Sequence, residues 1–531
     1  MASAITEQRV VVVGAGMGGL AAALRLSAAG RQVTVLEAAA APGGKMRHVS
    51  AGGRNFDAGP TVLTMKWAFD SLLEACGTTL DREIPMETAG VIARHYWEGG
   101  TCLDLHDDVA DSVRAIRDFA GQRDADGYQA FARDSRRVFE LLKDTFIDAT
   151  RPNPITLSRR VGLSKPGALF ALKPFSSLWS VLGDYFSDER LRQLFGRYAT
   201  YCGSSPYLAP ATLMLVAHVE QEGVWIPQGG MHAVACKFAD LAVGLGAEIR
   251  YGAKAAEIVL GPDSRSVSGV KLESGEFVPA EQVVFNGDAA ALPKLLGRSN
   301  KKKRAGANAT RSQSALVVCG LAEPDGVPLA HHTVFFSENY RAEFDAVFDR
   351  GEAPKDPTVY VCAQDRTADG HRKGDATSDP VERIYCLMNL PPDGDQHDYT
   401  EQELNQCLTA MDRRMAANGL VLRRDRTAQV VTAPDTFERL FPATGGGLYG
   451  QPSHGWMASF QRQGARSPLK GLYLAGGSVH PGPGVPMALL SGKIAAETLL
   501  ADHPSTNQSH PMAIAGGIST RPATAGATPS R

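Results

Sequence analysis

The pattern of apolar and polar positions is most informative over the first 45 residues. Arg9–Val13 is β-branched and apolar and ends at a glycine, which predicts a short buried strand. The Ala- and Leu-rich segment Leu20–Ala29 predicts a helix that stops at Gly30, and Gln32–Leu36 predicts a second strand. A strand, a glycine turn, a helix and a strand form a βαβ unit. We therefore expect a doubly wound parallel sheet of the α/β class.

The pattern changes twice after this unit. Asp107–Asp144 has apolar residues at helical spacing, and Thr156–Tyr201 predicts further, more aromatic helices. Glycine-punctuated short strands then predict an antiparallel layer made of Gly246–Tyr251, Ala255–Leu260, Val267–Leu272 and Gln282–Phe285. A second sheet is predicted from Ala315–Val318, Val334–Phe336, Val359–Cys362 and Ile384–Leu390.

Composition excludes several classes of protein. The 531 residues carry 55 Lys and Arg against 57 Asp and Glu, so no basic excess favours nucleic acid as a partner. The eight cysteines form no C-x-x-C pair and none lies at zinc spacing beside histidines, which predicts a reduced, cytoplasmic compartment and no metal site. The sequence contains no stretch of about 18 or more apolar residues, so it predicts no membrane-spanning helix.

The turn after the first strand carries a dinucleotide-binding pattern. Gly14, Gly16 and Gly19 match G-x-G-x-x-G, and Glu37 follows 18 residues after Gly19. Three glycines alone are weak evidence, but the strand before them, the helix after them and the acid make the pattern specific. The glycines would let a diphosphate approach the helix N-terminus, and the acid would accept ribose hydroxyls. An acid at the ribose disfavours a 2′-phosphate, and hence NADP.

Two later segments favour FAD over NAD. Pro42-Gly-Gly-Lys45 predicts a second backbone-rich loop with a cation against the phosphates, an arrangement typical of glutathione-reductase-like flavoproteins. Near the other end, Gly471–His480 predicts a buried strand that runs into glycines, followed by a rigid loop at 481–487 and a helix over Ala488–Leu500. We expect this segment to return to the N-terminal unit and to face the flavin and its ribityl chain.

Four motifs together resemble the carotenoid desaturases of the bacterial phytoene-desaturase family. They are Val11–Leu20, Ala41–Lys45, Phe56–Thr64 and Val479–Met487, and the resemblance extends from residue 8 to about 502. Within that family the chain is similar to the hydroxyneurosporene (methoxyneurosporene) desaturases of purple phototrophs, on the residues of Asp57–Lys66, Arg94–Trp97 and Tyr198–Pro206.

The resemblance implies FAD-dependent dehydrogenation of a C40 isoprenoid at the C-3,4 position of a 1-hydroxy or 1-methoxy acyclic carotenoid. It also implies a set of FAD-binding residues. The ADP half would be bound by Gly14, Gly16, Gly19 and Glu37, with Ala255 near adenine. The diphosphate would be contacted by Gly43, Gly44 and Lys45. The ring and ribityl chain would lie near Gly59, Pro60, Thr61, Gly476, Gly477, Ser478, Pro486 and Met487.

This sequence departs from the family pattern at two of these positions. Gly477 or Ser478 stands where many such flavoproteins have Asp, so a backbone amide or the Ser478 hydroxyl would contact the ribityl chain. Ala255 stands where relatives often have Val. We assign no catalytic base, because Asp57, His454 and His480 are more readily explained as structural residues.

The expected architecture is a glutathione-reductase-like FAD-binding Rossmann domain with a β-rich substrate domain and a helical, membrane-facing lobe. Its segments are 8–106, 216–290 and 441–502 for the FAD-binding domain, 107–215 for the helical lobe, 291–440 for the substrate domain and 503–531 for a disordered tail. The aromatic stretch Leu169–Phe186, with Lys165 before it, is either an ordinary core helix or a segment at the membrane interface. The basic run Lys301–Arg304 is either simply solvated or in contact with anionic lipid.

Peripheral attachment to the inner or photosynthetic membrane and a quinone or oxygen as electron acceptor complete this interpretation. Three alternatives stay open: a phytoene desaturase, an amine or porphyrinogen oxidase of the same fold, and a non-enzymatic prenyl-lipid-binding protein.

Overall fold

Helices and strands are both present in all parts of the described chain. The computed structural model describes residues 9–162, 172–173, 175–298, 311–373 and 380–504. Lys165, Phe170, the basic run at 301–304 and nearly all of the predicted tail lie outside these residues.

The strands within the described residues are β1 Arg9–Val13, β2 Gln32–Leu36, β3 His48–Ala51, β4 Arg54–Asp57, β5 Met86–Thr88, β6 Val91–Tyr96, β7 Cys102–His106, β8 Trp225–Pro227, β9 Glu248–Arg250, β10 Ala255–Leu260, β11 Val267–Leu272, β12 Phe277–Pro279, β13 Gln282–Phe285, β14 Ser314–Gly326, β15 His332–Phe335, β16 Val359–Ala363, β17 Glu382–Leu390, β18 Leu420–Arg424, β19 Val430–Thr432 and β20 Leu472–Leu474. The α-helices within them are α1 Met17–Ala28, α2 Lys66–Leu73, α3 Leu80–Glu83, α4 Val109–Ala120, α5 Gln122–Leu142, α6 Pro154–Val161, α7 Leu178–Tyr185, α8 Glu189–Gly196, α9 Leu215–Gln221, α10 Met231–Gly244, α11 Leu292–Leu295, α12 Tyr340–Phe344, α13 Glu401–Ala417, α14 Pro434–Leu440, α15 Ala458–Gln461 and α16 Val485–Asp502.

A five-stranded parallel sheet joins the beginning, middle and end of the chain. Its order is β20-β13-β1-β2-β9, and every pairing in it is parallel. The valines of β1 are buried because helices cover both faces of such a sheet, which confirms the expected α/β class. The expected antiparallel layer is wrong for two of its four strands: β9 and β13 belong to the parallel sheet, and only β10 and β11 pair antiparallel, together with β12.

A second, larger sheet lies beyond the parallel one. Its order is β18-β14-β17-β16-β15-β6-β7, with β19 also paired to β14. All four strands predicted for this sheet are present, which confirms that expectation. β6 and β7, which lie within the predicted first FAD-binding segment 8–106, pair with this sheet, because β6 runs parallel to β15.

Two glycines bring the end of the chain against its beginning. Helices α1 and α16 pack together, and a Cβ placed on Gly492 would lie 1.9 Å from the Gly18 carbonyl oxygen. Since no side chain fits at that distance, the glycine allows the two helix backbones to touch. The crossing holds the loop before α16 beside the turn before α1.

Helices predicted over Asp107–Asp144 are confirmed as α4 and α5, which pack on each other and on α9. The side chain of Asp108 caps α4 by accepting from the N–H groups of Ala110 and Asp111. Within the ranges described, no helix is long and apolar enough to cross a membrane.

Candidate active site

The turn between β1 and α1 is shaped by glycines. Gly14 has φ +99°, and a Cβ on Gly19 would lie 2.0 Å from the Gly14 carbonyl oxygen, so the turn closes only with glycine at both positions. Gly16 is the N-cap of α1 and has no side chain to occupy the first N–H groups of the helix. These donors carry the positive end of the helix dipole, which suits an anionic ligand.

Glu37 closes the end of β2 against this turn. Its buried carboxylate accepts the Ala15 N–H at 2.6 Å and the Ala39 N–H at 2.8 Å. Each carboxylate oxygen can accept a second hydrogen bond, so the group can still bind a hydroxyl. The carbonyl of Glu37 accepts the Ala253 N–H at 2.8 Å, which brings the start of β10, and with it Ala255, to the same place.

The second predicted loop packs directly on the first. The Gly43 N–H donates to the Ala15 carbonyl at 2.8 Å, and Gly43 has φ +114°. Lys45, which was expected to meet the diphosphate, directs its Nζ to the Leu448 carbonyl at 2.5 Å and lies over the Phe441 ring. Burial lowers the pKa of the Lys45 ammonium, and the charge of Asp288 acts in the opposite direction. Lys45 nevertheless lines the same cavity as the glycines.

The loops after β20 and β13 complete this end of the site. Ser478 accepts the Ala289 N–H at 2.9 Å, and Gly476 donates to the Ser491 hydroxyl at 3.2 Å. Asn286, which directly follows β13, donates from Nδ2 to the Gly14 carbonyl at 3.2 Å and fills the space beside the glycines of the first turn. Asn286 was not predicted from the sequence, although a polar residue at the carboxyl end of a parallel strand is a recognisable signal.

One cavity of about 1610 Å³ is lined by nearly all of the predicted site residues. Gly19 does not line the cavity and serves the turn instead. The predicted residues that line the cavity are Gly14, Gly16, Glu37, Gly43, Gly44, Lys45, Gly59, Pro60, Thr61, Ala255, Gly476, Gly477, Ser478, Pro486 and Met487. A pocket for a single small ligand commonly encloses about 300 to 1,000 Å³, so this cavity has room for a dinucleotide and a second molecule.

Away from the glycines the cavity becomes apolar. This apolar arm is lined by residues of the helical part of the chain: Leu142, Phe146, Ile147, Leu157, Leu172, Leu213, Val216 and Val219. Phe175 and Trp456 also line the cavity and remain 82% and 42% exposed, with their rings 5.6 Å apart. The exposed pair places aromatic surface where the arm meets the outside of the protein.

The three side chains considered as bases do not line this cavity. Asp57 accepts the Met231 and His232 N–H groups at the start of α10. His480 donates from Nε2 to the Ala149 carbonyl at 2.8 Å, and His454 accepts the Ser205 N–H at 3.0 Å. Burial lowers the pKa of each of these histidines to about 4. All three therefore have structural partners.

A buried group at the edge of the cavity was also missed by the sequence analysis. His331, His332 and Cys362 offer ring nitrogens and a thiol within 4.8 Å of one another. His332 Nδ1 lies 2.7 Å from the Tyr360 hydroxyl, which lies 2.6 Å from Thr61 Oγ1. The histidine thus fixes Tyr360 in the cavity wall. The pairing of β15 with β16 brings these residues together, and no local spacing in the sequence indicates it.

Comparison with known proteins identifies relatives along the whole chain. Residues 17–500 match the family model for flavin containing amine oxidoreductases. A hydroxyneurosporene desaturase of Rubrivivax gelatinosus is 48% identical over 99% of both chains. A 1-hydroxycarotenoid 3,4-desaturase of a Flavobacterium species is 31% identical, over 94% of this chain and all of the relative.

Solved structures share the fold at low identity. A putrescine oxidase variant matches with a TM-score of 0.58 and 15% identity, over 93% of this chain and 99% of the other. An oxidoreductase from Methanosarcina mazei matches with a TM-score of 0.57 and 16% identity, over 92% of this chain and 100% of the other.

Proposed function

The chain belongs to the flavin containing amine oxidoreductase family, and we propose that it is a carotenoid desaturase that introduces the C-3,4 double bond into 1-hydroxy or 1-methoxy acyclic carotenoids. The observation that carries this proposal is the single cavity with two chemically different ends. One part of its lining consists of glycines, backbone amides and an acid, and another part consists of the apolar side chains that form the arm. A nucleotide cofactor fits the first end and a polyene fits the second.

FAD is the cofactor, and the residues at the first end fit it. The glycine turn leaves no room for side chains where a diphosphate would approach, and Glu37 keeps acceptor capacity for ribose hydroxyls. We assign the ADP half to Gly14, Gly16 and Glu37. We assign the ring and ribityl chain to the loop segments 59–61 and 476–487, because residues of both segments line the same cavity as the glycine turn.

The reaction removes two hydrogens from neighbouring carbons of an unconjugated C–C bond. One carbon loses a hydrogen with its electron pair, and the other loses a proton, which is released to solvent; the electron pair of that second C–H bond forms the C=C bond. Bound FAD supplies the acceptor for the hydride. The apolar side chains of the arm hold the polyene in one orientation and exclude water, so that the bond to be oxidised is presented to the cofactor. A quinone or dioxygen then serves as the final electron acceptor.

The exposed aromatic residues suggest how a water-insoluble substrate reaches the cavity. Phe175 and Trp456 lie at the arm, and Leu208, 48% exposed, is joined to this region because its carbonyl accepts the Gly455 N–H. Aromatic side chains that are partly exposed to solvent favour the membrane–water interface. We propose that this apolar rim (Phe175, Leu208 and Trp456) touches the inner or photosynthetic membrane of a photosynthetic bacterium, from which the carotenoid enters.

The test is a turnover assay with purified holoenzyme and liposomes that contain 1-hydroxyneurosporene. The absorption bands of the polyene should move to longer wavelength as one double bond joins the conjugated system. Activity on phytoene alone would favour a phytoene desaturase, and activity on amines or protoporphyrinogen alone would favour an oxidase of the same fold. Tight prenyl-lipid binding by a protein that holds no flavin would favour a non-enzymatic carrier.

A further inference from the structure

A buried polar cluster interrupts the apolar arm. It consists of Arg197, Tyr198, Tyr201 and Glu220, on the 3₁₀ turn at Arg197–Cys202 and on α9. Tyr198 and Tyr201 donate their hydroxyls to the two oxygens of Glu220, at 2.8 and 2.9 Å. Arg197 donates from Nη1 to the Tyr201 hydroxyl at 3.1 Å. The carboxylate, the phenol and the guanidinium thus form one connected chain.

The guanidinium at the end of this chain faces the cavity. Arg197 lines it, together with Tyr201, Glu220 and the apolar residues Leu213 and Val216. Across the described ranges the Arg197 guanidinium makes no ion pair, and the hydrogen bond to Tyr201 is the one it donates to a protein group. Its remaining N–H donors have no hydrogen-bond partner among the described residues, and an unpaired donor beside apolar side chains is costly.

The cluster also lies beside the predicted flavin end. The Arg197 guanidinium sits between the Tyr201 and Tyr360 rings, 5.3 Å from each centroid. Tyr360 in turn bonds Thr61, one of the residues assigned to the flavin ring. Within this part of the cavity wall, Arg197 is thus separated from Thr61 by a single tyrosine.

The proposed substrate has its only oxygen at a matching position. An oxygen on C-1 lies within about 5 Å of both C-3 and C-4, since only three or four bonds of about 1.5 Å separate it from them. When C-3 and C-4 reach the flavin, the oxygen must lie next to the flavin end of the arm. Buried there without a hydrogen-bond donor, it would lose its solvation without compensation.

We propose that Arg197, held by Tyr201 and Glu220, donates to the C-1 oxygen of the carotenoid and thereby fixes the C-3–C-4 bond at the flavin. This inference rests on the proposed function and names the group that recognises its substrate. Guanidinium is a donor only, and both a hydroxyl and a methyl ether oxygen accept, so the subsite takes either. A hydrocarbon end leaves the charged group unpartnered and is disfavoured.

The test compares 1-hydroxyneurosporene with neurosporene, which lacks the oxygen, in the wild-type holoenzyme and in Arg197→Met. Hydrogen bonds to charged groups correspond to about a 10- to 150-fold effect, so kcat/KM for the hydroxylated substrate should fall by that factor. Activity on neurosporene should stay within about threefold or rise, because the unpaired charge is gone. Arg423→Met is the control, since Arg423 is exposed on β18, pairs with Glu323 and Asp325 and does not line the cavity.

Binding to the chemically reduced holoenzyme, followed by quenching of tryptophan fluorescence, gives a second readout that needs no turnover. Arg197→Met should weaken binding of the hydroxylated carotenoid and leave binding of neurosporene unchanged. If Arg197→Met does not retain FAD, the same comparison is made with Arg197→Lys and Tyr201→Phe. Arg197→Lys replaces the guanidinium by an ammonium group, and Tyr201→Phe removes the hydroxyl that holds the guanidinium. Both substitutions nearly conserve the side-chain volume. The preference is the ratio of kcat/KM for 1-hydroxyneurosporene to that for neurosporene. If this ratio in the variants stays within threefold of the wild-type ratio, the proposal is overturned. Inactivity of the wild type on both carotenoids overturns the proposed function instead, and the binding measurement still decides the role of Arg197.

Discussion

Replacing Glu37 by glutamine perturbs the nucleotide end of the cavity at a single atom. Both carboxylate oxygens accept a backbone N–H, from Ala15 and from Ala39. A carboxamide has one acceptor oxygen, so one of these N–H groups would face an NH₂ group and lose its partner. Because a hydrogen bond to a charged group contributes about 1.5 to 3 kcal/mol, Glu37→Gln should lower the free energy of unfolding of the FAD-free protein by about that amount.

The same change should weaken FAD binding. If a ribose hydroxyl donates to the Glu37 carboxylate, losing the charge on that acceptor raises the Kd for FAD by about 10- to 150-fold. Quenching of FAD fluorescence during titration of the FAD-free protein measures the Kd, and calorimetry measures the stability. Glu248→Gln is the matched control, because Glu248 lies on the neighbouring strand β9 with its side chain exposed. A Kd for Glu37→Gln within twofold of the wild-type value would refute the assignment of Glu37 to the ribose.

Three further predictions follow from single contacts. Gly19→Ala places a Cβ 2.0 Å from a backbone oxygen of the same turn and should raise the Kd for FAD at least tenfold, whereas Gly244→Ala, whose Cβ meets nothing within 4 Å, should leave it unchanged in the same titration. Burial opposes ionisation of Asp365, but hydrogen bonds from Arg383 prevail and lower the pKa of Asp365 below 3.8. Asp365→Asn should therefore destabilise the protein by about 1 to 2 kcal/mol near neutral pH. Denaturant unfolding at a series of pH values should show that this difference disappears as the pH falls through the lowered pKa. Phe175→Glu should reduce co-sedimentation with anionic vesicles at least threefold without changing FAD binding, and unchanged sedimentation would contradict the proposed membrane contact.

The parts of the fold that depend on neighbouring residues were predictable from the sequence. Gly14, Gly16, Gly19 and Glu37 lie within one βαβ unit, where each role follows from a fixed distance along the chain, and β1 and β2 have the predicted bounds. The family resemblance added the loop at 476–487, which the crossing of α1 and α16 brings to the same cavity.

Features that depend on distant contacts were not predictable in this way. Short apolar strands such as β9 and β13 look alike in parallel and antiparallel sheets, because the connection and not the strand decides its direction. Arg197 and Glu220 are linked, through the Tyr201 hydroxyl, only because the 3₁₀ turn packs against α9. An arginine in an aromatic stretch gives no sign in the sequence that its donors face a cavity.

Anaerobic mixing of the oxidised holoenzyme with 1-hydroxyneurosporene in liposomes tests the central claim most directly. The absorbance of oxidised flavin and the polyene bands are followed in the same sample. The proposal predicts that the flavin is reduced as the polyene bands move to longer wavelength, with one flavin reduced for each new double bond. Flavin that stays oxidised with this carotenoid but is reduced by an amine would contradict it.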